Sequence, residues 1–182
     1  MEKNRILFLS VLLVLAGHAQ GEQVCRPGNF DTVRLEVAAD QTVIDRQARL
    51  QWQRCPQGLR GEKCEQGQLD RSNIRQAADL ADKANRQGDA GKQGWRLPTV
   101  AELARLVSKK CLNPAIDLKI FPNSPAVEFW GSDSDGAQSG YVDFKDDYIG
   151  KDDENLPNAV RLVRDLPAAT PGKGKGRPAR QG

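Results

Sequence analysis

Histidine is nearly absent from this sequence: the only one among 182 residues is His18. It falls in an N-terminal segment, 1–19, that we interpret as a secretory signal peptide cleaved after Ala19. The mature chain would then contain no imidazole. Ser-His-Asp and Cys-His catalysis and His-ligated metal sites are thereby excluded, and we predict a protein that is not an enzyme.

Long hydrophobic runs are also lacking. Lys3 and Arg5 precede the one apolar stretch, Ile6 to Ala16, and small residues follow it, as in a signal sequence. Those 11 residues are too few to cross a hydrocarbon core of roughly 30 Å as a helix. We therefore expect export to the periplasm or the medium and no membrane span after cleavage.

Phosphate-binding glycine motifs and basic stripes with interleaved aromatic residues are missing too, which argues against nucleotide and specific nucleic-acid ligands. The net charge of +3 is unevenly spread. The last segment, 167–182, carries four cations and no acid, so the body of the chain is slightly acidic. Its Pro- and Gly-rich composition predicts a disordered basic tail.

Four cysteines are present, an even number in a chain that we expect to be exported: Cys25, Cys55, Cys64 and Cys111. Such a set predicts two disulfides, for which three pairings are possible. We favour Cys55–Cys64, around a short Pro- and Gly-containing loop, with Cys25–Cys111 as the second bond. Zinc is the rival interpretation, but the chain has no Cys-x-x-Cys pair.

The most informative stretch is Gly94 to Val107. Pro98 restrains Leu97 to an extended conformation, Thr99 is placed as the N-cap of a helix, and Glu102 completes a capping box. Val100, Leu103 and Val107 give that helix an apolar face. Trp95 and Leu97, two residues apart, are predicted to pack on that face.

Other segments predict short elements. We expect a β-hairpin over Asp40 to Cys55 and a helix over Ser72 to Gln87 capped by Ser72, followed by an ordered loop and three short strands, the last over Ala159 to Arg164. The result is an α+β domain with two helices and a small antiparallel sheet, spanning residues 20–166. Trp52 is predicted to lie in the core, with a ligand-stacking role as the alternative.

Acidic residues crowd the region from Ser132 to Leu156. Carboxylates on such loops suit Ca²⁺, although the order of residues is not that of an EF-hand and solvated polar loops are the simpler alternative. We take Trp130, Asp133 and Asp135 as candidate ligand-contacting residues. No other cofactor is predicted.

Trp95-Arg96-Leu97-Pro98-Thr99 with its helix resembles a motif of the C-type-lectin-like and formylglycine-generating-enzyme superfamily. With the flanking segments 50–56, 113–117, 129–130 and 160–164, it also resembles bacterial domains typified by the C-terminal domain of the Legionella collagen-like adhesin. The resemblance implies a disulfide-stapled, C-type-lectin-like single domain. This chain has Trp130-Gly131-Ser132 where relatives tend to have Trp-Ser-Ser.

The resemblance also implies a function. That adhesin's domain binds sulfated glycans, so we predict a non-catalytic domain that recognises a glycan or an envelope or extracellular protein. Sulfated glycans would have to meet the tail or a patch formed by Arg105, Lys109 and Lys110. The alternatives are a structural or assembly component of the envelope and a formylglycine-generating-type enzyme. The enzyme is disfavoured because no cysteine follows Cys111.

Overall fold

The computed structural model describes residues 22–28, 34–87, 93–133, 139–151 and 153–167. The predicted signal peptide, Asp135 and the tail beyond Pro167 lie outside the described residues. The strands and helices, in chain order, are β1 (Val24–Cys25), β2 (Leu35–Val37), β3 (Thr42–Asp45), β4 (Leu50–Gln53), β5 (Leu59–Arg60), β6 (Gln66–Gly67), β7 (Arg71–Ser72), α1 (Ile74–Gln87), α2 (Val100–Ala104), β8 (Cys111–Leu112), β9 (Glu128–Ser132), β10 (Ser139–Asp143), β11 (Tyr148–Gly150), β12 (Asn158–Ala159) and β13 (Val163–Asp165).

Two main sheets form the domain. One has the strand order β11-β10-β9-β12-β7 and the other β13-β4-β3-β2, while β1 pairs with β8 and β5 with β6. The predicted α+β class is correct. The prediction of one small antiparallel sheet is wrong, because there are two larger sheets and β12 runs parallel to β9.

The prediction of one strand over Ala159 to Arg164 is also wrong. Residues 159–164 form two short strands in different sheets, and the buried residues Val160 to Leu162 join them. A run that is buried on every side has no alternation to reveal where it changes sheet.

The main hydrophobic core lies between the sheets and α2. Trp52, Leu103, Leu106, Phe129 and Phe144 are among its buried members. Trp52 is fully buried, which agrees with the predicted core position and rules out the ligand-stacking alternative. The predicted hairpin is also confirmed, with β3 and β4 paired from Thr42–Gln53 to Asp45–Leu50.

A second core lies beneath α1 and contains Ala77, Ala81 and Trp130. Trp95 and Leu97 pack there, so the prediction that they pack on the apolar face of α2 is wrong. That helix is also shorter than predicted: it ends at Ala104, and Val107 instead forms an isolated bridge with Ile116.

The prediction that Ser72 caps α1 is also wrong. Ser72 belongs to β7, and the cap is Asn73, whose Oδ1 accepts from the N–H of Gln76 at 2.9 Å while the Gln76 side chain accepts from the N–H of Asn73 at 3.1 Å. This reciprocal pair satisfies two of the donors that a helix start leaves unpaired.

Both predicted disulfides are present. Cys25 and Cys111 are directly opposite each other in the β1–β8 pair and are bonded, and Cys55 is bonded to Cys64. On the chain-entropy account each bond contributes about 2–5 kcal/mol, more for the longer loop. No helix in the described part of the chain combines the length and apolarity needed to cross a membrane.

Candidate functional site

The segment from Trp95 to Glu102 joins the two main sheets. Arg96 forms a bridge with Val163 in β13, and Thr99 forms one with Ser132 in β9. The predicted capping box is present: Glu102 N–H donates to Thr99 Oγ1 at 3.1 Å, and Thr99 N–H donates to Glu102 Oε2 at 2.8 Å. The segment thus starts α2 and holds both sheets.

An ion-pair network reinforces this junction. The guanidinium of Arg96 donates to both carboxylate oxygens of Glu102, at 2.8 and 2.9 Å, and to Asp165 at 2.9 Å. Burial alone raises the pKa of Glu102, but Arg96 and the Thr99 N–H outweigh it, so this pKa lies below its ordinary value. Hydrogen bonding to Glu102 in turn raises the pKa of Arg96. These ion pairs stabilise the junction between the two sheets.

Trp130 does not belong to a ligand surface, so that prediction is wrong. Its side chain is fully buried in the second core, and its indole N–H donates to the Ser72 carbonyl at 2.6 Å. Strand β9 is covered by α1 on this side, which the sequence of the strand alone does not reveal. Asp133 is half-buried and lines a small cleft with Val100. The structure brings it together with neither Trp130 nor the basic residues.

Arg105, Lys109 and Lys110 do not form the predicted basic patch. Arg105 donates to the buried carboxylate of Asp45 at 3.1 Å, and Lys109 pairs with Asp147 at 2.9 Å. Lys110 also has an interaction, and its Nζ lies 2.9 Å from where a Cβ on Gly28 would be. These cations are engaged with groups of their own domain.

Asp45 is the centre of a buried ion cluster. Its carboxylate accepts from Arg105, from Arg34 at 3.3 Å and from the N–H of Ala48 at 2.9 Å. Burial by itself raises the pKa of Asp45, but these donors outweigh it, so this pKa lies below its ordinary value. The cluster ties β3 to the segment that follows α2.

This cluster predicts acid sensitivity. A carboxylate with a lowered folded-state pKa stabilises the fold above its unfolded pKa, about 3.9, and that contribution disappears as the pH falls through the folded value. We expect the difference in unfolding free energy between wild type and Asp45→Asn, measured by urea titration, to be constant from pH 7 to pH 5 and to shrink below about pH 4. A difference that stays unchanged down to pH 3 would contradict the assignment.

The predicted calcium site has no geometric support in the described residues. No group of three His, Cys, Asp or Glu side chains there is arranged to hold a metal ion. Asp135 lies outside them, so the calcium prediction is untested.

An open groove lies beside Trp95, and we call it the Trp95 cleft. It consists of two adjoining hollows of about 600 and 430 Å³ that share one wall. The shared residues are Gln53, Gln57, Gly58, Leu59 and Trp95. The first hollow also reaches Gln41 and Arg54, and the second reaches Asp70 and Lys83.

The Trp95 cleft has a rigid frame. Asn85 in α1 clamps the backbone of Trp95, accepting from its N–H and donating to its carbonyl, both at 2.8 Å. The guanidinium of Arg164 covers one face of the indole, 4.8 Å from the ring centroid. The Cys55–Cys64 bond closes the loop that forms the opposite rim.

Polar side chains are already oriented along the groove. The amide of Gln57 donates to Gln53 Oε1, and Arg54 donates to Gln41 Oε1 at 2.5 Å and to the carbonyls of Ile120 and Glu62. These glutamines were not among the candidate residues predicted from the sequence. The one available signal was that Gln53 and Gln57 lie on either side of Cys55, and this pattern is equally typical of a solvated strand end.

The comparisons with known proteins agree with the sequence motifs. No curated protein and no solved structure matches the chain. The family of the Lcl C-terminal domain matches residues 41–164, about two thirds of the chain, and this region contains the hairpin, both helices, the sheet junction and the Trp95 cleft. The chain therefore belongs to the Lcl C-terminal domain family, which is adhesin-related and is not a known enzyme family.

Proposed function

We propose that this chain is an exported, non-catalytic binding domain that recognises a glycan in the Trp95 cleft. The observation that carries the proposal is the lining of the cleft, where a half-buried indole lies beside the amides of Gln41, Gln53 and Gln57. A sugar ring offers an apolar C–H face and a set of hydroxyls. An aromatic side chain suits the first, and amides, which both donate and accept, suit the second.

The charges around the cleft favour a hydroxyl-rich sugar over a polysulfated one. Its cations are Arg54, Arg60 and Lys83, and its acids are Glu62 and Asp70, so the two signs nearly balance. A polyanion binds most strongly to a surface on which positive charges outnumber negative ones. Heparin binding would then depend on the basic tail, and retention on heparin that survives deletion of 168–182 would argue for a polyanion site in the body.

Other features support a binding role outside the cytoplasm. Two disulfides and membership of an adhesin-related family fit an extracellular or periplasmic location. Residues 20–182 contain no histidine, so they offer no imidazole for acid–base catalysis. We infer the lectin-like fold from the resemblance, signal cleavage from the sequence of residues 1–19, and the ligand from the geometry of the cleft.

The alternative partner is an envelope protein that uses the same groove. It predicts specific co-purification of one envelope protein and no binding on a glycan array. Glycan recognition predicts the reverse.

Replacing Gln57 by Leu tests the proposal. The change removes an amide from the shared wall of the cleft while keeping a side chain of similar size. We expect the best glycan identified on an array to bind about 3- to 10-fold more weakly in calorimetry, since one neutral hydrogen bond is worth about 0.5–1.5 kcal/mol.

Gln47→Leu is the matched control. Gln47 is exposed in the β3–β4 turn, at the far end of the hairpin from Gln53. Equal weakening by both variants, or no glycan bound above background by the wild type, would argue against the Trp95 cleft as a sugar site.

A further inference from the structure

The five-stranded sheet ends in a strand with an open side. Strand β11 pairs with β10, and no described strand pairs with its other side. Each face of β11 carries an exposed apolar side chain: Tyr148 is 60% exposed on one face and Ile149 is 48% exposed on the other. Such an edge is a ready template for another extended segment.

The two faces of this edge differ in chemistry. On the core side, a mainly apolar cleft of about 440 Å³ lies between Val100, Gly140, Ile149 and Gly150. On the outer side, the rings of Tyr141 and Tyr148 lie 6.2 Å apart. An added strand would direct alternate side chains to the apolar cleft and to the tyrosines.

The surroundings of the edge are acidic. The described residues between 133 and 154 include six carboxylates and two lysines, and Asp146 is exposed in the turn before β11. Burial, together with the carboxylates of Glu128 and Asp146, raises the pKa of Asp143 on the tyrosine face. The acids there repel one another, so a cation on this face would be stabilised.

A segment of the same chain has the complementary pattern. The stretch Gly172-Lys173-Gly174-Lys175-Gly176-Arg177, outside the described residues, alternates glycine with cations. In an extended strand all three cations would lie on one face and the glycines on the other. The cations suit the acids and tyrosine rings, and the glycines allow close approach on the Ile149 side.

A series of contacts links β13, which ends two residues before the last described residue, Pro167, to the apolar cleft beside β11. Arg96 binds both Asp165, in β13, and Glu102, in α2, and the first residue of α2, Val100, lines the apolar cleft. Arg49 holds the last described residues, since its carbonyl accepts from the N–H of Leu166 and its guanidinium donates to the Pro167 carbonyl. The link from Pro167 to Gly172 therefore has five residues, which can extend over about 17–18 Å.

We propose that residues 172–177 add as a strand to the open edge of β11 in their own chain, with Lys173, Lys175 and Arg177 on the tyrosine face. The segment, expected to be disordered in isolation, would order on binding. This surface lies apart from the Trp95 cleft, so the proposal does not depend on glycan recognition.

Hydrogen exchange on the complete mature chain tests it. We expect the amides of Tyr148 to Gly150 to exchange about 10-fold faster once residues 168–182 are deleted. Asp146→Asn should reduce this protection, whereas Asp79→Asn, which removes an exposed carboxylate from α1, should leave it unchanged.

A reordered tail separates strand pairing from simple charge attraction. In this variant Lys173, Lys175 and Arg177 are made adjacent while the composition is kept, and we expect the protection to be lost. Equal protection by the reordered tail, no effect of deletion, or protection that rises with protein concentration as dimers form would each overturn the proposal.

Discussion

Replacing Gly58 by Ala should destabilise the fold by about 2–5 kcal/mol and abolish the glycan binding that we propose for the Trp95 cleft. Gly58 lines both hollows of the cleft at a φ of +84°. A Cβ at this position would lie 2.0 Å from the carbonyl oxygen of Gln68 and 2.6 Å from the backbone nitrogen of Asp70. Because backbone atoms cannot rotate away as a side chain can, the wall of the cleft must shift.

Gly94→Ala provides a matched control for this prediction. Gly94 has a φ of +90°, close to that of Gly58, yet among the described residues beyond its two chain neighbours no atom lies within 4 Å of a Cβ built there. It should therefore cost only about 1–2 kcal/mol, the penalty for a left-handed conformation. Urea unfolding of both variants isolates the clash, and equal destabilisation would show that the loop yields without strain.

Interactions between near neighbours in the sequence were predictable. The capping box of Thr99 and Glu102 depends on a three-residue spacing, and the β3–β4 hairpin depends on alternation over a few residues. The Cys55–Cys64 bond spans only nine residues. In each case the interacting residues are close in the sequence, and their own spacing predicts the contact between them.

Features that depend on which side of an element is covered were not predictable. Trp95, Trp52 and Trp130 all lie in extended segments, yet Trp95 is half-buried beside a cleft and the other two are fully buried. The difference arises because α1 covers β9 while the cysteine loop leaves one side of Trp95 open. Alternation identifies the two faces of a strand but does not say which face another element covers.

The basic residues illustrate the same limit. Arg105 and Lys109 were predicted to meet a ligand because they are close in sequence and positively charged. The structure instead supplies each with a carboxylate from a distant segment, Asp45 for Arg105 and Asp147 for Lys109. Partners 60 and 38 residues away leave no local signal in the sequence.

The second large effect is expected at Arg161, the cation buried beneath the Trp95 cleft. Its guanidinium lies 4.6 Å from the ring centroid of Phe121 and 5.7 Å from that of Phe129. It donates to the carbonyls of Gln53 and Arg54 and to Ser124 Oγ. Arg161 thus supports from below two residues that line the cleft.

Arg161→Ala should lower the free energy of unfolding by about 3–5 kcal/mol, since it leaves a cavity and three acceptors without their donor. Complete burial lowers the pKa of Arg161, and no carboxylate among the described residues pairs with it, so holding the charge there is itself costly. Arg161→Met fills most of the space without that charge and should recover about half of the loss.

Arg60→Met is the control, because Arg60 is exposed at the rim of the cleft and should change stability by less than about 0.5 kcal/mol. Thermal and urea unfolding measure the stability of the three variants relative to wild type. An Arg161→Met variant as unstable as Arg161→Ala would show that the hydrogen bonds to Gln53, Arg54 and Ser124 dominate. If Arg161→Ala were no less stable than wild type, the packing of the cleft floor described here would be wrong, because no surrounding side chain could then depend on the guanidinium for its position.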